Sequence, residues 1–239
     1  MQFLLFNNPI VYYTLKGAFI KGLNRKLLEA LVLFFILFFP KNAAFFSFPG
    51  EIGYSIFWRV PALILVLLLL DKKPLFSPKK DLIVLTAALC ALMVAGFLVS
   101  LAAAKTGFSP PIEIPLPAGI PGWIGVILLS LSIGALEEAY FRVYLPQRIL
   151  ELFQASSVSS NHPAAADPSV TNRFVTIAFL LSGIIFALCH VYEGFWGVAN
   201  ALLASLTLSF IYIKSSSFPG IALAHGLYNV FVFLIAALH

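Results

Sequence analysis

The sequence predicts an all-α polytopic membrane protein, a transmembrane helical bundle of about seven spans. Hydrophobic residues make up 61% of the chain and charged residues 10%, whereas a soluble domain is about 45–50% apolar and about 25% charged. Several apolar stretches approach the roughly 20 residues that a helix needs to cross a bilayer. Lys and Arg residues alternate between rich and poor connections along the chain, which is typical of a chain that crosses a membrane repeatedly.

The spans are predicted from the apolar stretches taken in order. The first is interrupted by Pro40 and Lys41, and the second contains Arg59. Ahead of them, residues 1–26 are expected to form a basic interfacial segment. The predicted spans are 28–47, 54–70, 82–103, 121–144, 174–193, 195–213 and 218–237.

The basic residues predict the orientation of the chain. Twelve Lys and Arg fall on one side of the successive connections and two on the other, apart from Arg59 within a span. The positive-inside rule then places the N-terminus in the cytoplasm. This topology explains the net charge of +5 without a nucleic-acid partner. The short loops favour a prokaryotic inner membrane.

The predicted connections between spans divide the chain into segments. The polar segment 154–173 is predicted to be a cytoplasmic loop, and the proline-rich segment 109–122 an external connection. Cys90 and Cys189 both lie in apolar spans, so no disulfide is predicted. The predicted organisation is an interfacial segment at 1–26, N-terminal helices at 27–110 and a functional core at 111–239.

The stretch "GALEEAYFR" places three charges in an apolar surrounding. Glu138 and Arg142 are four residues apart, so on a helix they share one face and can pair. Glu137 points elsewhere on the helix and cannot readily share that arginine. Two interpretations stay open: a buried charge site within the bundle, or a helix end at the interface with solvated charges. The pair Leu145-Pro146 favours an end of the span shortly afterwards.

Two later spans carry histidines. His190 follows Phe186 by one turn near the end of the fifth span, where it could be a structural or a functional group. His225 and Asn229 are four residues apart in the middle of the seventh span and share a face. Asn229 alone could join helices by hydrogen bonding.

The sixth span has a polar residue of its own. Asn200 is interpreted as a packing residue, because Gly197, Ala201 and Ser205 recur at four-residue spacing and predict close helix contact.

Glu137, His190, His225 and Asn229 form one candidate site. Buried ionisable groups in a membrane bundle usually face one another or a water-filled cavity. A carboxylate, two imidazoles and an amide can activate water against a carbonyl group, and the set is close to a two-His, one-carboxylate zinc site. A proton-coupled transporter and a non-catalytic membrane scaffold are the alternatives. No paired repeats of the transporter kind are visible.

The order of these motifs resembles the CPBP family of CAAX prenyl proteases and bacteriocin-processing enzymes, also called the Abi family. The resemblance covers about residues 120–237 and implies an intramembrane endopeptidase acting on a membrane-anchored or lipidated protein or peptide. Members of the family often have eight spans. The resemblance is carried by Glu137, Glu138 and Arg142, by Phe186 and His190, and by His225 and Asn229.

The resemblance also implies roles for these residues. Glu137 would activate water with the help of His190, and His225 and Asn229 would stabilise the oxyanion. Glu138, Arg142 and Phe186 would support them. The family includes enzymes described as metal-dependent and as glutamic. A metal-dependent enzyme would use Glu137, His190 and His225 as ligands of a divalent ion such as zinc, but the poor ligand Asn229 favours glutamate-activated water. A divalent metal such as zinc therefore stays a possible cofactor, and none is predicted with certainty.

The predicted boundaries raise one difficulty with this site. His190 lies about 24 Å along its span at the helical rise, whereas Glu137 lies towards the side from which that span starts. The two residues meet only if the fifth span begins deeper, tilts, or has boundaries several residues away from the predicted ones.

Overall fold

A computed structural model describes residues 25–35, 50–70, 76–107, 116–158 and 168–238. Within these ranges the regular structure is entirely helical, which confirms the predicted class. Residues 25–35 form α1, and the last residues of the predicted interfacial segment belong to it; residues 1–24 lie outside the described ranges. The other α-helices are α2 (Gly50–Leu69), α3 (Pro78–Thr106), α4 (Gly119–Glu138), α5 (Leu145–Val158), α6 (Pro168–Leu188), α7 (Gly194–Ser215) and α8 (Phe218–Ala236).

Among the described residues, four helical stretches are long and apolar enough to cross a membrane. They are Pro78–Thr106, Gly119–Gln154, Val191–Ser215 and Phe218–Ala236, and two shorter apolar helices run over Phe57–Leu69 and Asn172–Leu188. The predicted count of about seven spans is not confirmed, and the second half of the first predicted span lies outside the described residues.

The surfaces of these helices suit a lipid environment. On α3, for example, Ile83, Val94 and Phe97 are 70%, 59% and 67% exposed. A contiguous apolar surface of this kind is rare on a soluble monomer, while helices satisfy their backbone groups within lipid. The chain is an integral membrane protein.

A π-helix at Ala139–Tyr144 joins α4 to α5 without a break. The helix therefore continues past Leu145-Pro146, beyond the predicted span boundary at residue 144. In the π-helix the Leu145 N–H donates to the Tyr140 carbonyl, five residues back. The wider π turn accommodates Pro146, which lacks an N–H and whose ring would clash with a carbonyl in an uninterrupted α-helix.

Two predicted connections are shorter than expected. α5 continues to Val158 and α6 begins at Pro168, so the ends of the predicted loop 154–173 are helical, and residues 159–167 lie outside the described ranges. α4 begins at Gly119, so the last residues of the predicted connection 109–122 are also helical. Pro121 is tolerated there because the first helical N–H groups have no partner within the helix.

Glycines allow α4 and α8 to touch through their backbones. A Cβ atom built on Gly134 would lie 2.5 Å from the Gly226 nitrogen, and one on Gly226 would lie 2.8 Å from the Leu131 Cα. Small residues at helix interfaces permit this approach in membranes. The contact brings the end of α4 against the middle of α8, where the acidic and histidine motifs lie.

The predicted close packing of the sixth span is observed in α7. Ala201 and Ser205 are buried, and a Cβ atom on Gly183 of α6 would lie 2.9 Å from the Ser205 Oγ.

Polar contacts attach α1 to α5 and to the π-helix. The Tyr144 hydroxyl donates to Glu29 Oε1 at 2.6 Å, and Lys26 Nζ lies 3.1 Å from Glu151 Oε2. The described part of the N-terminal segment therefore packs against the same helix that carries the acidic motif.

Candidate active site

The three charges at the end of α4 are buried in protein. Glu137, Glu138 and Arg142 are 3%, 0% and 1% exposed, so the interpretation that they are solvated at a helix end is wrong. Arg142 Nε lies 3.1 Å from Glu138 Oε2, which is the predicted pair. The Arg142 guanidinium also lies 4.5 Å from the centre of the Phe186 ring, so Phe186 supports the pair from α6.

His225 lies between the two carboxylates. Its Nδ1 is 2.7 Å from Glu138 Oε1, and its Nε2 is 3.8 Å from Glu137 Oε2. An ionised carboxylate only accepts hydrogen bonds, so Nδ1–H donates to Glu138 and fixes the ring. The distance to Glu137 is too long for a hydrogen bond, and Nε2 therefore faces Glu137 and the adjoining space.

His190 is held by the last turn of α6. Its Nδ1 lies 2.9 Å from the Phe186 carbonyl oxygen, and the two rings are 4.6 Å apart. Because a carbonyl only accepts, Nδ1 carries the proton, and in the neutral ring Nε2 is the basic nitrogen. The chain then passes through a 3-10 turn, Val191–Glu193, and Gly194 with φ 75° leads it into α7.

The observed position of α6 against the π-helix explains how Glu137 and His190 lie at a similar depth. The Ser182 hydroxyl donates to the Phe141 carbonyl at 2.6 Å, so these residues lie at one level of two packed helices. Glu137 lies four residues before Phe141, and His190 lies eight residues after Ser182. Both residues therefore lie towards the same end of the bundle. The predicted boundaries were misplaced because α5 extends the fourth span and α6 begins at Pro168.

The four predicted residues line one pocket of about 460 Å³: Glu137, His190, His225 and Asn229. Side chains from separate stretches of the sequence thus meet at one pocket. Their catalytic roles remain a prediction.

Residues 119–231 match the family model described as type II CAAX prenyl endopeptidase Rce1-like. This region of the chain is similar to the Rce1-like family. The match confirms the resemblance that the three motifs indicated and includes all four pocket residues named above. The Rce1-like region covers just under half of the chain. Comparison with curated proteins and with solved structures gives no significant match.

Sequence reasoning missed several pocket residues. Asn200, interpreted as packing, lies 3.4 Å from the Tyr228 hydroxyl through its amide nitrogen, and both line the pocket. Arg59 lines it from α2, outside the Rce1-like region, and Glu193 from the turn before α7. The sequence did contain an indication for Arg59, because a charged residue within an apolar span is energetically costly and usually faces the interior of the bundle.

The role expected of Glu138 was also incomplete. It was expected only to support the site by pairing with Arg142, but it also contacts His225 directly. That contact depends on the approach of α8 to α4, which the local spacing of "EEAYFR" does not encode.

The residues named as ligands of a divalent ion do not form a metal site. In the described ranges no three His, Cys, Asp or Glu side chains are arranged to hold a metal ion. The described arrangement thus does not group Glu137, His190 and His225 as ligands of one ion.

Proposed function

We propose that this protein is an intramembrane endopeptidase in which Glu137 activates a water molecule to hydrolyse a peptide bond of a membrane-associated substrate. The observation that carries the proposal is the buried Glu137 carboxylate facing His225 Nε2 across a shared pocket. A carboxylate within a water-accessible pocket can act as a general base.

The proposed reaction uses two proton transfers, and both pass through Glu137. Glu137 takes a proton from water as the water oxygen bonds to the carbonyl carbon of the substrate. The carbonyl oxygen becomes an oxyanion, which accepts hydrogen bonds from His225 Nε2–H, in the doubly protonated ring, and from the Asn229 amide. Glu137 then gives its proton to the amide nitrogen, the C–N bond breaks, and an acid and an amine leave. His190 Nε2 accepts a hydrogen bond from the attacking water and holds it near Glu137.

The remaining charges orient this machinery. The Glu138 carboxylate fixes the His225 ring from behind, and Arg142 compensates the charge of Glu138 in a position shielded from water. Donors held in a fixed direction stabilise a developing oxyanion without reorganising during the reaction. Removing one such donor from a protease lowers kcat by about 100- to 1,000-fold.

The proposed substrate is a protein or peptide held at the membrane by a lipid or a hydrophobic segment. Prenylated C-terminal peptides are the first class to test, because the matched family is described as CAAX prenyl endopeptidases. Peptide precursors and anchored proteins with a sorting tail are the other classes.

The test compares wild-type protein with Glu137→Gln in proteoliposomes. We expect Glu137→Gln to abolish cleavage of a quenched farnesylated CAAX peptide while the protein still inserts and melts cooperatively. Membrane proteomes of cells expressing the two forms identify new protein termini if another class is cleaved. Arg173→Gln, an exposed residue of α6 outside the pocket, is the control and retains activity. Full proteolysis by both Glu137→Gln and His225→Ala contradicts the proposal.

A further inference from the structure

Arg59 lies on the face of α2 that is turned towards the protein. Positions 59, 62 and 66 share one face of a helix at these spacings. Ala62 and Val66 are 7% and 0% exposed, whereas Trp58 and Val60, beside Arg59 in sequence, are 43% and 44% exposed. The α2 helix therefore directs Arg59 into the bundle and its neighbours outward.

This face of α2 meets the part of α4 that carries the proposed base. Ala62 and Val66 belong to the same core cluster as Leu136 and Ala139, which flank the acidic pair in sequence. One turn nearer the start of α2, Arg59 lines the same pocket as Glu137. The guanidinium interacts electrostatically with the Glu137 carboxylate.

Other charged and titratable groups also surround Glu137. His225 faces it from α8, and His190, Tyr192 and Glu193 line the pocket from the α6–α7 connection. On its own helix, Arg142 interacts with Glu137 over a distance but is paired directly with Glu138. Among the described residues, Arg59 is the Lys or Arg side chain that lines the pocket.

We propose that Arg59 is a positioning residue for the hydrolysis: its guanidinium compensates the negative charge of Glu137 and holds that carboxylate towards the pocket. The inference rests on the proposed function. Charges interact strongly where the surroundings have a low dielectric constant, and arginine keeps its charge under all relevant conditions. The N-terminal half of the chain, outside the matched region, thereby contributes to the active centre.

A double-mutant cycle on thermal stability tests the charge pair without a substrate. Purified Arg59→Gln, Glu137→Gln and the double variant are melted in the same detergent, with Arg173→Gln, an exposed arginine on α6, as the matched control. Because Arg59→Gln removes one of the positive charges near the Glu137 carboxylate, we expect it to melt lower than wild type and the double variant to recover part of that loss. Additive effects of the two substitutions would overturn the proposal.

The kinetic test separates positioning from substrate binding. With the farnesylated CAAX peptide, or with the substrate that the Glu137 comparison identifies, Arg59→Gln should lower kcat by roughly 10- to 100-fold, as misplaced catalytic groups do, and leave KM unchanged. Arg59→Lys should recover most of kcat because it retains the positive charge. A rise in KM at constant kcat, or no change in either, overturns the role assigned to Arg59.

The two proposals fail in different ways. Retention of full cleavage by Glu137→Gln and His225→Ala refutes the proposed function, whatever the stability cycle gives. Loss of cleavage in Glu137→Gln together with unaltered kcat in Arg59→Gln refutes the positioning role alone.

Discussion

Gly134→Ala should disable the site by separating two helices. The added Cβ would lie 2.5 Å from the Gly226 nitrogen and 2.9 Å from the Ala222 oxygen. These are backbone atoms that cannot rotate away. Ordinary contact distances are about 3.5–4.0 Å, so α4 and α8 must move apart by about 1 Å at this level.

The displacement acts directly on the proposed catalytic arrangement. Glu138 lies one turn after Gly134, and His225 is adjacent to Gly226. Their 2.7 Å hydrogen bond would lengthen to about 3.7 Å, beyond the range of a hydrogen bond. A displacement of this size near reacting groups costs about 100-fold in rate, and overpacking costs about 1–3 kcal/mol of stability.

The assay measures peptide cleavage in proteoliposomes and thermal unfolding in detergent for the same preparations. Gly183→Ala is the matched control, because its Cβ would meet the Ser205 Oγ at 2.9 Å, an atom that can turn away. We expect Gly183→Ala to be near wild type in both measurements. Equal activity of Gly134→Ala and Gly183→Ala would refute the reasoning that backbone contact sets the site geometry.

Two further predictions concern buried polar contacts. Glu138→Gln should lower the free energy of unfolding by about 3–5 kcal/mol, because it leaves the buried Arg142 without its charged partner; thermal unfolding measures this, and a melting temperature equal to that of wild type contradicts it. Asp81→Ala should cost about 1–3 kcal/mol, because Asp81 accepts hydrogen bonds from the Ser217 hydroxyl at 2.5 Å and the Ser77 N–H at 2.8 Å and so ties the starts of α3 and α8 together. Unaltered thermal stability of Asp81→Ala would show that this contact contributes nothing.

The sequence predicted the helical class and the pair of Glu138 with Arg142, because both depend on local properties. An apolar composition indicates that the surface faces lipid. Four-residue spacing determines which side chains share a helix face. The meeting of Glu137, His190, His225 and Asn229 in one pocket was predicted from the cost of burying polar groups and from the family motifs.

The misplaced boundaries have a different origin. Pro146 would kink or break an ordinary α-helix, and the π-helix at Ala139–Tyr144 lies directly ahead of it in the continuing helix. The contact between Glu138 and His225 likewise depends on which glycines face each other across α4 and α8. Arg59 was recognisable in the sequence as a charge in an apolar stretch. The pocket that it lines could not be predicted, because α2 has no motif that indicates which helix it packs against.

The unbroken helix from Gly119 to Gln154 is also too long for the membrane. Its 36 residues extend about 54 Å, whereas the hydrocarbon layer is about 30 Å thick. The charged residues Arg148 and Glu151 lie in the last part, which must emerge from the lipid. With Gly119 at one boundary, Glu137 lies about 27 Å along the helix, close to the opposite boundary. Under the proposed function, a water molecule that enters at this boundary would travel only a few ångströms to reach Glu137.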